Sequence, residues 1–181
     1  MATVSTDNYT IGQVSLYFNA TVAHASLTDS TFRHTGNSLG NIVTSEINPA
    51  VTYIDHWVAD NGQRKKDHTA LSEVTVTIPF TFDEMSAANL QRFFLGSLLA
   101  TDKIAAFEEP LKKGCAVLYF TTSVGQDMVY YIPKCTLRPD GALGINPEDW
   151  WSAPMVLDVL YYDTNHWSSK PYGYLDTSSI G

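Results

Sequence analysis

Apolar and polar side chains alternate most strictly over residues 74–82 (VTVTIPFTF), with Val74, Val76, Ile78, Phe80 and Phe82 on one face and Thr75, Thr77, Pro79 and Thr81 on the other. A period of two predicts a half-buried strand. Pro79 cannot donate to a ladder, so it predicts an edge or a bulge there. Similar alternation predicts a first strand over 11–20, with Val14, Leu16 and Phe18 on one face, and a looser one over 39–47 that ends in a turn or bulge at Asn48-Pro49. A further strand is expected over 51–58 (VTYIDHWV), and residues 59–73 read as a long charged hairpin loop leading to 74–82. Residues 115–122 and 128–135 predict a hairpin turning near Gly125, and 155–162 (MVLDVLYY) the last core strand.

The period changes once. Over 83–96, Leu90, Phe93 and Phe94 recur at helical spacing, Ser86 can cap the start and Gly96 follows as a stop, so a helix is predicted over 86–95. Residues 98–114 read as a helical tail, then loop or short strand, and 136–154 as a Gly/Pro-rich excursion. The polar, aperiodic stretch 1–10 reads as an N-terminal arm and 164–181 as a C-terminal arm, with 21–38 loop-like. The expected architecture is mainly β: a sandwich or barrel over 11–163 with one packed helix.

Composition agrees. Val, Ile, Thr and the aromatics suit a pleated, half-buried surface, and 181 residues allow one well-buried core. The balance of 19 acidic against 11 basic residues disfavours tight nucleic-acid binding, which needs a basic patch to displace counterions, and predicts that DNA is repelled. No apolar run reaches the length of a membrane-spanning helix, and the N-terminus has neither a basic nor an apolar signal region, so folding in a cytosol is expected. In that compartment Cys115 and Cys135, which the expected hairpin sets opposite each other on one face, are read as small buried hydrophobes rather than a disulfide.

Candidate chemistry is sparse. His24, His34, His56, His68 and His166 sit at no metal-ligand spacing, although His34 or His56 could meet a carboxylate in space. No motif supports pairing either cysteine with a histidine as a nucleophile. Arg64-Lys65-Lys66 is the only basic triplet, followed by Asp67; it reads as a solvated tip, a phosphate contact or a docking point on an acidic surface of a neighbouring copy. The aromatic residues Trp150, Trp151, Tyr161, Tyr162, Trp167, Tyr172 and Tyr174 read as a subunit interface, with a sugar-binding platform as the alternative. No catalytic residue, metal or cofactor is expected.

The layout resembles that of the major tail-tube proteins of non-contractile bacteriophage tails over roughly residues 11–163. Its most telling part is the strand pair joined by 59–73, followed by VTVTIPFTF and the helix SAANLQRFFLG; TIGQVSLYF and MVLDVLYYD look like the family's first and last strands. The resemblance implies hexameric rings that stack into a tube, a virion location after assembly in the host cytoplasm, and passage of DNA without specific binding. It implies tape-measure, distal-tail and terminator proteins as further partners, and no membrane. Carried onto this chain, it makes 59–73 and the two arms the bridges between subunits or rings. The expected contacts are then Arg64, Lys65, Lys66, Asp67, Trp150, Trp151 and Trp167. The expected lumen wall holds Glu46, Thr75, Thr77, Thr81 and Asp158. Another tail protein of the same fold, a carbohydrate-binding β-sandwich and a β-rich Cys/His enzyme are the competing readings.

Overall fold

The computed structural model describes residues 12–20, 32, 36–100, 103–122 and 127–178; the predicted arm 1–10, the turn at Gly125, His24 and His34 lie outside these. The chain is mainly β. Its strands are β1 (Gly12–Asn19), β2 (Ile42–Ser45), β3 (Asn48–Asp60), β4 (Gln63–Phe82), β5 (Ser97–Ala100), β6 (Lys103–Ala105), β7 (Lys112–Thr122), β8 (Asp127–Pro139), β9 (Ala153–Val159) and β10 (Tyr174–Asp176). A short helix, α1 (Ala87–Phe93), interrupts them.

Beside a separate β5–β6 pair, an eight-stranded antiparallel sheet runs in the order β1-β7-β8-β9-β4-β2, with β10 added to β8 and β3 to β4. It curls until its ends nearly meet: the Phe18 amide donates to the Asn37 carbonyl (2.8 Å) and the Leu39 amide to the Leu16 carbonyl (2.9 Å), just before the chain enters β2. The result is a nearly closed barrel, and closure hides strand edges that an open sheet would expose. The alternation in the sequence has its cause in this wall. Leu16, Phe18, Ile78, Phe80, Phe82, Leu118, Leu137, Met155 and Leu157 all point into the barrel and are buried.

Two prolines mark irregularities. Pro79 sits where the ladder passes from β2 to β3, and its carbonyl accepts from the Glu46 amide (3.0 Å), so a residue with no N–H falls where the neighbouring strand breaks. Asn48-Pro49 is not a turn but the start of β3. In β8 the register slips between Gly114↔Cys135 and Ala116↔Ile132, leaving Pro133 and Lys134 opposite Cys115 alone. This bulge overturns the expectation that the cysteines share a face: Cys135 lies in the barrel core and Cys115 in a second cluster. Both cysteines are buried.

That second cluster covers the outside of β1, β7 and β8, and joins Phe32, Cys115, Val117, Tyr119, Tyr131 and Trp167. Residues 160–176 lie over it. A 3-10 turn (Asn165–Trp167) inserts Trp167, which is only 1 % exposed. Tyr174 stacks on Tyr131 at 4.8 Å between centroids, and Lys170 Nζ sits 4.0 Å from the Tyr174 ring. Gly173, at φ 96°, lets the backbone approach so closely that a Cβ there would stand 2.1 Å from the Tyr131 carbonyl oxygen. Residues 164–178 are therefore a strap belonging to the fold, not a free arm, and only 179–181 of the predicted arm lie outside the described residues.

The helix is shorter than predicted but starts as expected, with the Ser86 hydroxyl accepting from the Asn89 amide (3.3 Å). Phe93 is buried in the core. Asn89, a polar residue, is buried beside it because its side chain donates to the carbonyls of Leu39 (3.1 Å) and Glu84 (3.0 Å) and accepts from Arg92 Nη1 (2.9 Å). Arg92 also donates to the carbonyls of Ser38 and Gly36, which ties α1 to the segment that closes the barrel. No helical tail follows: Leu95 turns at φ 48°, and the chain makes the small β5–β6 hairpin instead.

Registers fix two ends of the barrel. At one, called the rim, lie Phe82↔Ala153, Pro139↔Met155 and Lys112↔Leu137, together with α1, β5–β6 and the 140–152 loop. At the other, β4 leaves β9 after Val76↔Val159 and continues with β3 alone.

Candidate self-assembly surfaces

Beyond that point β3 and β4 form a two-stranded ribbon. Residues 59–73, expected as a loop, are strand almost throughout, and the chain reverses in two residues, Asn61 (φ 50°) and Gly62 (φ 77°). Positive φ at both central positions defines the tight hairpin turn that Asn-Gly favours. Polar composition had the look of a loop; a ribbon solvated on both faces carries the same residues. At about 3.3 Å per residue, the ribbon reaches roughly 35–40 Å past the last β9 pair.

Cross-strand register sorts its side chains. One face continues the barrel interior and carries Val51 beside Val74, Tyr53 beside Leu71, Asp55 beside Thr69 and Trp57 beside Lys66. The other continues the outer wall and carries Ile54, His56 beside His68, and Val58 beside Lys65. Val51, Tyr53, Ile54, Trp57, Val58 and Leu71 are all exposed. An isolated two-stranded hairpin is marginal in water, and among the described residues neither ribbon edge has a further strand partner. Covering the exposed halves of these six side chains is worth on the order of 5 kcal/mol.

The basic triplet is internally paired. Lys65 Nζ lies 2.5 Å from Asp60, and Lys66 Nζ 2.6 Å from Asp55, whose carboxyl that lysine, with Thr69, holds below the usual range. Arg64 stacks 5.2 Å from the Trp57 ring centroid. Asp67 occupies a bulge, with its Oδ1 2.6 Å from His56 Nδ1, so His56 does meet a carboxylate. The basic triplet is thus a tip in which two of three cations face their own carboxylates. Such exposed pairs are weak and exchange partners readily.

The residues expected on a lumen wall do share a surface. Thr75, Thr77 and Thr81 alternate on the outer face of β4. Thr77 stands between Asn48 and Asp158, and Asp158 between Thr77 and Thr136. Glu46 lies beside this row, in a shallow hollow with Thr44, Thr81, Pro154 and Asp140. Asp158 is not a free carboxylate: Arg138 Nε lies 3.1 Å from its Oδ2, a partner absent from the sequence reading.

Of the aromatic residues expected at contacts, Trp150 is 85 % exposed and Trp151 is exposed beside it on the 140–152 loop. Trp167 is instead spent on the chain's own second cluster, which removes it from any contact surface. The rim carries further apolar residues that sequence reasoning missed, Leu98, Leu99 and Phe107; Phe107 is 67 % exposed and has φ 60°. Among the described residues, no group of three or more His, Cys, Asp or Glu could hold a metal ion, and no helix is long and apolar enough to cross a membrane. Burial pushes the Cys135 thiol well above its ordinary pKa, the reverse of nucleophile activation. No protein-family model matches the sequence, and no curated protein matches it.

Proposed function

We propose that this chain is a non-catalytic structural subunit that assembles with identical copies into rings and a stacked tube, the role implied by its resemblance to siphophage major tail-tube proteins. The observation that carries the reading is the ribbon: a long hairpin whose two edges have no strand partner among the described residues and whose two faces both expose apolar side chains. A monomer gains nothing from such an element, whereas a closed assembly of copies pairs its edges and covers its faces. Ring number six, a virion location, and contacts with tape-measure, distal-tail and terminator proteins follow from the same resemblance and stand or fall with it.

The Thr-rich outer row on β4 suits a wet wall that grips nothing, and the formal net charge of -8 disfavours adsorption of DNA. Because Arg138 offsets Asp158, repulsion at that wall rests on Glu46 and Asp140 more than on Asp158. Negative-stain microscopy of the purified chain tests the reading: hollow tubes or stacked rings support it, and a protein that stays monomeric at high concentration overturns it. A glycan-binding reading draws on the exposure of Trp150. Quenching of tryptophan fluorescence by oligosaccharides, in a protein that does not assemble, would favour it instead.

A further inference from the structure

His56 and His68 are register partners, directly opposite each other in the ladder on the outer face of the ribbon. Residues so placed have Cβ atoms about 4.5–5.5 Å apart. Both side chains are exposed, so burial accounts for neither. The ladder bulges beside them. His56 pairs with His68 and Trp57 with Lys66, which leaves Asp67 as the extra residue. A bulge re-aims a side chain, and here it brings a carboxylate to the pair: Asp67 Oδ1 lies 2.6 Å from His56 Nδ1. No linear metal-ligand spacing relates these residues; the hairpin register unites them.

An ionised carboxylate can only accept, so in this contact His56 Nδ1 carries the proton. In the neutral ring the lone pair then belongs to Nε2. Metal-binding histidines are held in the same way: the other ring N–H donates to a carboxylate, which fixes the tautomer and raises the basicity of the ligating nitrogen. The neighbouring charges leave room for a cation. On the same face the adjoining pairs are Ile54 beside Ala70 and Val58 beside Lys65, and Lys65 Nζ is held by Asp60 at 2.5 Å. Lys66 and Arg64 are engaged elsewhere, with Asp55 and with the Trp57 ring.

We infer that His56 and His68 form a site for a divalent transition-metal ion of the zinc, nickel or copper class, with Asp67 as its positioning residue. Imidazole suits these ions, whereas magnesium and calcium seek oxygen ligands. Among the described residues no third His, Cys, Asp or Glu joins the pair as a ligand. The ion therefore takes two protein nitrogens and keeps water in its remaining positions, which makes an open, exchangeable site and not a closed structural one. One ligand stands on β3 and the other on β4, so a bound ion ties the two strands of the ribbon together. That stabilises a hairpin which, on its own, is marginal in water. The site needs only one chain, so it is independent of the self-assembly reading.

Calorimetric titration of the full chain with nickel ion tests this, with magnesium ion as the control. The wild type is expected to bind nickel and not magnesium. His56→Ala and His68→Ala are each expected to weaken nickel binding about tenfold or more, because a lone imidazole loses the effective concentration of its neighbour. His166→Ala, away from the ribbon, is expected to leave it unchanged. Asp67→Ala should cost about tenfold, and Asp67→Asn, which still offers an acceptor to Nδ1–H, clearly less. Both histidines are exposed, so metal-free variants are expected to melt with the parent. Hydrogen exchange then locates the ion: nickel should slow exchange of ribbon amides flanking the pair in the wild type and not in His68→Ala. A wild type that binds no nickel, histidine variants that bind it as the wild type does, or protection that falls outside the ribbon overturns the inference and leaves the self-assembly reading where it stands.

Discussion

Cys135 sits wholly inside the barrel, where burial raises its pKa well above the ordinary value, with Cys115 and Asp158 adding to the shift. In the unfolded chain the thiol ionises near pH ~8.5. Between that pH and the higher folded value the unfolded state holds fewer protons than the folded one, so stability is complete below about pH 8.5 and falls as pH rises. Thermal melts from pH 7 to 10 are expected to show this loss, with its first part missing in Cys135→Ala; an unchanged alkaline slope in that variant would assign the loss to Tyr130 and Tyr174, whose hydroxyls burial also pushes upward. Trp167 poses a second test at this scale. It fills the second cluster beneath the strap, so Trp167→Ala is expected to cost the unassembled protein about 3–5 kcal/mol in urea denaturation. A contact residue facing another subunit would leave that value unchanged.

Among the elements, those with one covered face were the legible ones. Residues 74–82 and the first and last core strands declare their inward side chains because each is wet on one side and dry on the other. The helix was legible through its cap and through Phe93, but Asn89 was not, since its burial depends on carbonyls of Leu39 and Glu84 that only the tertiary fold supplies. The 59–73 segment is not legible as strand because it is wet on both faces and carries no period; its one local signal is Asn61-Gly62 at the turn. The strap was missed for the opposite reason: Trp167 and Tyr174 are isolated apolar residues in polar sequence, and their cluster is assembled from distant strands. Of the candidate surfaces, the Thr row was legible from its period, while Arg138 beside Asp158 needed the β8–β9 register. The turn itself is testable. Gly62→Ala keeps the space free but places a Cβ at φ 77°, and is expected to cost roughly 1–2 kcal/mol locally. Hydrogen exchange should quicken for ribbon amides near the tip while barrel amides keep wild-type protection; loss of protection throughout would mean the ribbon and the barrel open as one unit.

At the scale of the whole molecule, the division of labour is between a barrel that completes its own core and a ribbon that completes nothing within the chain. Among the described residues, β3 pairs only with β4, and the ribbon part of β4 pairs only with β3. Its apolar residues are exposed, whereas those pointing into the barrel are buried. Removing it should therefore subtract assembly and not folding. Because Ala50 and Thr75 are register partners, residues 51–74 can be replaced by Asn-Gly to leave a two-residue hairpin in the same ladder. The shortened chain is expected to melt within a few degrees of the unassembled parent, a difference of about 1 kcal/mol or less for a domain of this size, and to remain unassembled at concentrations where the parent forms particles. Ionic strength separates the two contributions to that loss. The parent's assembly should weaken with salt as the tip charges are screened over about 8 Å at physiological strength, yet persist in part through its apolar contacts, which salt does not screen. A shortened chain that assembles as the parent does would return the ribbon to the status of an ornament and move the search for the contact surface to the rim alone.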